Sequence, residues 1–123
     1  MNIFKTIKEA LIEILDIEDR DIHPESYLIR ELGVESIDLL ELAVALNSRL
    51  DIEIDDDEIF LKEVRAYVEE SALSGKTTEE YLIGKLPFLT RDRAKEIIDD
   101  LKQGPALKVK DLISYLGWKL GEV

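Results

Sequence analysis

Ser36 is the polar residue whose neighbours point most clearly to a chemical role. It lies in the stretch GVESID, between the carboxylates Glu35 and Asp38 and directly before a dense apolar run. Its hydroxyl can cap the helix that this run predicts, because serine at a helix start satisfies a backbone N–H group without a helical partner. Alternatively, an exposed hydroxyl at this place can carry a phosphodiester, which the unpaired N–H groups and the helix dipole stabilise.

Other chemistry has few residues to draw on. The 123 residues include no cysteine, which removes thiol nucleophiles, disulfides and thiolate metal sites. The only histidine, His23, precedes a proline in a polar stretch and is expected in an exposed loop. Motifs such as HExxH and GxSxG are absent. The acidic residues 55–58 lack the spacing of an EF-hand and are interpreted as a helix start. We therefore expect neither a catalytic residue nor a metal site.

The charge of the chain is concentrated in its first half. The net charge is −12, and residues 1–60 hold 17 acidic and 5 basic side chains, whereas residues 61–123 hold 11 of each. Such a field repels nucleic acid and anionic lipid and favours partners with basic patches. The sequence shows no secretory signal and no apolar run of the roughly 20 residues that cross a bilayer. We expect a cytoplasmic monomer that does not bind nucleic acids and is not a membrane protein.

The apolar pattern predicts an all-α fold. Apolar residues at three- and four-residue steps predict helices over residues 2–15 and 36–50. Residues 16–35 form a long connection between them, and connections of this length are often functional. Apolar residues occupy most sides of the second helix, so we expect it to be buried except for a narrow stripe. That stripe consists of Asp38, Glu41, Ala45 and Ser48.

The rest of the chain predicts further helices. These cover residues 56–72, a short segment from the capping box Thr77–Glu80 to Pro87, residues 91–103 between Thr90 and Gly104, and residues 108–120. The charged residues of 91–103 are expected in solvent. Tyr115 and Trp118 lie off the apolar face of the last helix, and we expect them to face the extra segment that precedes it. No linker divides the chain. We therefore expect one domain over residues 1–123, in which about 56–106 form a helical extension.

The stretch DIHPESYLIRELGVESIDLLELAVALNSRLDIEI resembles the acyl carrier protein family. That family has a long first loop, then a Gly-x-Asp-Ser-Leu/Ile motif that opens an acidic second helix. The motif is here Gly33-Val34-Glu35-Ser36-Ile37. The resemblance covers roughly residues 1–55 and resumes at KVKDLISYL. It implies an acyl-carrier-like helical bundle with a long first loop and a helical extension between the second and last helices.

The resemblance also implies a function for Ser36. This serine would receive 4′-phosphopantetheine from coenzyme A through a magnesium-dependent phosphopantetheinyl transferase. The thiol of the arm would carry acyl groups as thioesters to enzymes of lipid biosynthesis, and the carrier itself would catalyse nothing. Glu35, Asp38 and Glu41 would meet basic patches on the transferase and on acyl-processing enzymes. The positions that resemble those sheltering the acyl chain are also explained as plain core: Ile29, Ala43, Val44, Leu46 and Ile54.

The sequence departs from the family pattern in three places. Glu35 stands where the family usually has aspartate, and Asn47, Ser48 and Arg49 replace residues that are often acidic. The second of these departures shortens the acidic recognition stripe, and a narrower set of partners is the hypothesis that follows from it. The third departure is the extension, which would enlarge the acyl cavity, present a partner surface or only stabilise the fold. Two alternatives stay open: a carrier of aminoacyl or peptidyl groups, and a helical interaction module in which Ser36 is only a cap.

Overall fold

The computed structural model describes residues 2–121, and it is built from helices. Its seven α-helices are α1 (Ile3–Leu15), α2 (Ser36–Leu50), α3 (Asp56–Ile59), α4 (Val64–Ser71), α5 (Thr78–Lys85), α6 (Arg91–Asp100) and α7 (Val109–Lys119). Short 3-10 turns cover Asp19–Asp21 and Leu101–Gln103. Within residues 2–121, β-type pairing is limited to one isolated bridge between Tyr27 and Lys108. The predicted all-α class is confirmed.

The helices α1, α2 and α7 form the bundle core. Helix α1 packs against both α2 and α7, and α3 packs against α7. The three- and four-residue apolar spacing of each helix turns one face inward, which removes these side chains from water. Fully buried side chains come from all three helices: Ile7, Leu11, Leu42, Leu46, Leu112 and Leu116.

The long first loop lies on this core. Ile22, Leu28 and Val34 are buried along it. Its middle pairs with the segment before α7, where the Leu28 N–H donates to the Leu107 carbonyl (3.1 Å). The loop is therefore held by both side-chain burial and backbone hydrogen bonds.

The helix predicted over residues 56–72 is in fact two helices. Leu61 has a left-handed backbone (φ +54°), which ends α3 and redirects the chain into α4. That conformation costs a non-glycine residue about 1–2 kcal/mol, and here it belongs to a buried leucine. The acidic start of α3 has the expected role: Asp55 Oδ1 accepts from the N–H groups of Asp57 (3.0 Å) and Glu58 (3.2 Å).

Helices α4, α5 and α6 form the extension and pack on one another in sequence. Both predicted caps are confirmed: Thr77 Oγ1 accepts from the Glu80 N–H (3.2 Å), and Thr90 Oγ1 accepts from the Arg93 N–H (3.1 Å). Helix α6 is shorter than predicted, because its last turn tightens into the 3-10 turn before Gly104. None of the helices within residues 2–121 is long and apolar enough to cross a membrane.

A buried ion pair joins the extension to the bundle. Arg93 Nε and Nη2 donate to Asp111 Oδ1 (2.8 Å) and Oδ2 (2.7 Å), and Nη2 also donates to the Ala106 carbonyl (2.8 Å). Both side chains are buried, so the expectation that the charges of residues 91–103 all face solvent is wrong for Arg93. The guanidinium is planar and matches both carboxylate oxygens, which makes this pairing directional.

Two further contacts also attach the extension. Asp100, at the end of α6, accepts hydrogen bonds from the Tyr27 hydroxyl and from Arg30 Nη1 (2.9 Å) in the first loop. Burial alone would raise the pKa of Asp100, but the hydrogen bonds from Tyr27 and Arg30 outweigh it and lower this pKa. Phe88 meets Tyr115 edge to face, with ring centroids 5.1 Å apart. Tyr115 therefore faces the extension, as predicted.

Candidate functional site: the start of helix α2

The backbone before α2 is arranged to present Ser36. Gly33 adopts a left-handed conformation (φ +72°), which glycine reaches without steric cost. Val34 then anchors the chain, because its side chain is buried and its N–H donates to the Leu28 carbonyl (3.0 Å). Glu35 is the extended N-cap residue, and Ser36 follows as the first residue of the 15-residue helix α2.

Ser36 is not the cap of this helix. The Asp38 carboxylate instead reaches back to accept from the Glu35 N–H (2.9 Å), and the Glu35 carbonyl accepts the first helical bond from Leu39 (3.0 Å). The Ser36 side chain is exposed, and its hydroxyl makes no hydrogen bond to any other residue in the described range 2–121. The interpretation of Ser36 as only a helix cap is therefore wrong.

The three acidic residues around Ser36 have different surroundings. Glu35 and Glu41 are exposed, whereas Asp38 is half-buried and engaged in capping. The basic residue near the end of α2 also has a structural partner. Arg49 Nη2 lies 2.8 Å from the Glu13 carboxylate on α1, and its Nη1 lies 3.9 Å from that of Glu9. Arg49 therefore ties α2 to α1.

An apolar face on α2 was missed by the sequence interpretation. Ile37, Leu40 and Val44 keep 57%, 51% and 66% of their surface exposed, so the prediction of a helix buried on nearly every side is wrong. Leu40 and Val44 line a shallow surface cavity together with Ile14, Glu41 and Ala45. We call Ile37, Leu40 and Val44 the α2 apolar face. A contiguous exposed apolar patch beside acidic residues is typical of a surface that binds a partner.

The five predicted acyl-cavity residues do not share one cavity. Ala43 and Leu46 are in the core, Ile54 is half-buried, and its N–H donates to Asn47 Oδ1 (3.0 Å). The expectation that Val44 faces the interior is wrong. Ile29 lines a cavity of about 210 Å³ with Leu39 and residues of the extension. Sequence periodicity contains no signal for this cavity, because its walls come from segments that are distant along the chain.

The fold and the site combine a helical bundle with one exposed serine at the start of a helix whose first turns bear acidic residues. The family model described as "Phosphopantetheine attachment site" matches residues 5–69. The acyl carrier protein of Helicobacter hepaticus is 36% identical over 73 residues, which are 56% of this chain and 96% of that protein.

Two further acyl carrier proteins show the same similarity. That of Wolinella succinogenes is 40% identical over 58 residues (47% of this chain, 76% of that protein), and that of a Sulfurovum species is 36% identical over 58 residues (47% and 77%). No solved structure matches the chain. The chain belongs to the phosphopantetheine-attachment family of acyl carrier proteins and uses covalently bound 4′-phosphopantetheine. The predicted family is thus confirmed, and the matched range ends within α4.

Proposed function

We propose that Ser36 is the residue to which the 4′-phosphopantetheine arm is attached. The observation that carries this proposal is the exposed Ser36 hydroxyl at the first position of α2, with capping performed by Glu35 and Asp38. A phosphodiester on this hydroxyl meets the unpaired N–H groups of the first helical turn and the positive end of the helix dipole. The attachment serine therefore needs no cationic side chain beside it to accept the arm.

Partner binding belongs to the same end of α2. Glu35, Asp38 and Glu41 supply negative charge for basic patches on a phosphopantetheinyl transferase and on acyl-processing enzymes of lipid biosynthesis. The α2 apolar face supplies surface that loses contact with water when a partner docks. Charge then sets encounter rate and register, whereas apolar burial contributes to the lifetime of the complex. The same proposal describes a cytoplasmic monomer that has no catalytic residue of its own.

We further propose that the acyl chain enters the cavity lined by Ile29 and Leu39. Ala43, Leu46 and Ile54 then support this region as packed core around α2. Residues 1–123 act in this proposal as one domain. The proposal of one domain is supported by the apolar core, which is a single cluster. Leu82 and Ile97 of the extension belong to it together with Leu112 of α7.

Intact-mass measurement tests the attachment. The folded protein incubated with coenzyme A, Mg²⁺ and a broad-specificity phosphopantetheinyl transferase should gain the mass of one phosphopantetheinyl group. Ser36→Ala should gain nothing, whereas Ser48→Ala, which removes an exposed serine of the same helix, should be modified like wild type. A folded wild-type chain that stays unmodified, or a modified Ser36→Ala variant, would refute the proposal.

A further inference from the structure

The cavity beside Ile29 has a charge opposite to that of the protein. Its apolar wall includes Ile29, Leu39 and Phe60, and the charged residues that line it are Lys62 and Arg65. None of the described residues that line it is acidic, although the chain has 28 acidic and 16 basic side chains. We call it the cationic cavity. Its cations come from the turn before α4 and the first turn of α4, at the start of the extension.

Both cations can bind an anion. Arg65 Nη2 donates to the Leu101 carbonyl (2.9 Å), which holds the guanidinium beside the cavity while its other N–H groups remain donors. Neither Lys62 nor Arg65 has a carboxylate within 4.0 Å among residues 2–121. Lys62 directly follows Leu61, which is buried and has a left-handed backbone. Strained backbone of this kind persists where the surrounding structure imposes it, and it is frequent at ligand sites.

The cavity is within reach of an arm on Ser36. Leu39 lies three residues after Ser36 on α2, so the two side chains share one helix face and are about one turn apart. Apolar walls with two cations suit an apolar chain that bears an anionic group. The volume of about 210 Å³ is below that of typical ligand pockets, roughly 300–1,000 Å³, which favours a short chain.

We propose that Lys62 and Arg65 bind an anionic group of the loaded arm and thereby hold a short acyl chain in the cationic cavity. This inference rests on the proposed attachment at Ser36. The anion has two sources: the phosphodiester of the arm, or a carboxylate at the far end of the cargo. The extension then has a defined role, since it supplies the residues that recognise this charge.

The test compares two thioesters on the loaded protein. The arm is transferred from octanoyl coenzyme A or from the coenzyme A thioester of an eight-carbon dicarboxylic acid, and intact mass confirms each product. Thioester hydrolysis is then measured relative to the same thioester on free coenzyme A. The variants are wild type, Lys62→Gln/Arg65→Gln, and the control Lys76→Gln/Lys95→Gln, which removes two exposed cations outside the cationic cavity. Melting temperatures of the unmodified and arm-bearing forms are measured in parallel.

If the bound anion is the carboxylate of the cargo, the dicarboxylic thioester should hydrolyse roughly threefold to tenfold more slowly than the octanoyl thioester. We expect this difference on wild type and on the control variant. That ratio should fall to about one in Lys62→Gln/Arg65→Gln and at about 1 M salt. If the bound anion is the phosphodiester of the arm, the two thioesters should hydrolyse at equal rates. Attachment of the arm should then raise the melting temperature of wild type and of the control variant, but not that of Lys62→Gln/Arg65→Gln.

If Lys62→Gln/Arg65→Gln behaves like wild type in both measurements, the proposal that the cationic cavity binds an anion is overturned. Failure of the chain to take up the arm would be seen first, by mass. It would refute the attachment at Ser36 and this inference together, and the two failures are therefore distinguishable.

Discussion

Replacing Asp111 by alanine should detach the extension from the bundle at its strongest contact. The Asp111 carboxylate accepts two hydrogen bonds from Arg93 and one from the Lys108 N–H (2.9 Å), so the substitution removes all three. Arg93 remains buried, with 7% of its surface exposed, and retains the Ala106 carbonyl and a longer contact of 3.4 Å to the exposed Glu96 carboxylate. A guanidinium that has lost its buried carboxylate is the costly product of this change.

The magnitude follows from these contacts. Breaking a buried ion pair by removing one partner costs about 3–5 kcal/mol, and the lost cap at Lys108 adds about 1 kcal/mol. A domain of this size has a free energy of unfolding of about 5–15 kcal/mol, so Asp111→Ala retains only part of its stability. Asp111→Asn should lose less free energy of unfolding than Asp111→Ala. Its amide oxygen still accepts the hydrogen bond from the Lys108 N–H, although the negative charge is removed. Arg93→Met/Asp111→Asn should lose less than the sum of its single substitutions, since neither charge remains buried.

Urea unfolding at pH 7, followed by circular dichroism, measures these differences. The four proteins of the cycle are wild type, Arg93→Met, Asp111→Asn and the double variant. An interaction energy of about 2 kcal/mol or more supports the pair as a central attachment. A loss below about 1 kcal/mol for Asp111→Ala, or additive single losses, would refute the reasoning.

Two further predictions concern the surface. Hydrogen bonds from Lys110 and Lys108 lower the pKa of Glu25 to about 2 from its ordinary value of 4.5, so the stability that this carboxylate provides is present above pH 4.5 and is lost as the pH falls towards 2. Because the Glu25 side chain is 66% exposed, Glu25→Gln should lower the free energy of unfolding at pH 7 by no more than about 1 kcal/mol. Urea unfolding of the two proteins should show that this difference shrinks below pH 4.5. A difference that stays constant with pH would contradict the lowered pKa of Glu25. Val44→Ser should raise the KM for the carrier in phosphopantetheinyl transfer about fivefold with little change in kcat or melting temperature, because Val44 is exposed and contributes only when a partner covers it. Leu73→Ser, at a 95% exposed position of the extension, is the matched control, and an equal effect of both substitutions would dismiss the α2 apolar face as a docking surface.

Local signals predicted most of the helix starts. Helix starts are marked at Thr77, at Thr90 and at the motif around Ser36. The residues that form each cap lie only three positions apart, so a short stretch of sequence is enough to predict it. The break at Leu61 had no such signal. A leucine adopts the left-handed region there because its surroundings bury it, and burial depends on residues far along the chain.

The sequence predicted the residue types at the start of α2 better than the surfaces and cavities around them. Sequence periodicity identified apolar positions on α2 but could not separate those that face the core from those that face a partner, since both are apolar. Arg93 was expected in solvent because its partner Asp111 belongs to another predicted helix. The cationic cavity was missed for the same reason: Ile29, Leu39 and Arg65 come together only in the folded chain.

The contact between Asp100 and the first loop has a consequence for engineering this carrier. Tyr27 and Arg30 lie in the loop that leads to Ser36, and both bind one carboxylate at the end of α6. An extension transplanted into a shorter carrier would therefore arrive with Asp100 unpaired unless the recipient loop also received Tyr27 and Arg30. The transferable module is thus the extension together with the first loop and Asp111 of α7, three segments that are separated in sequence and must be moved together.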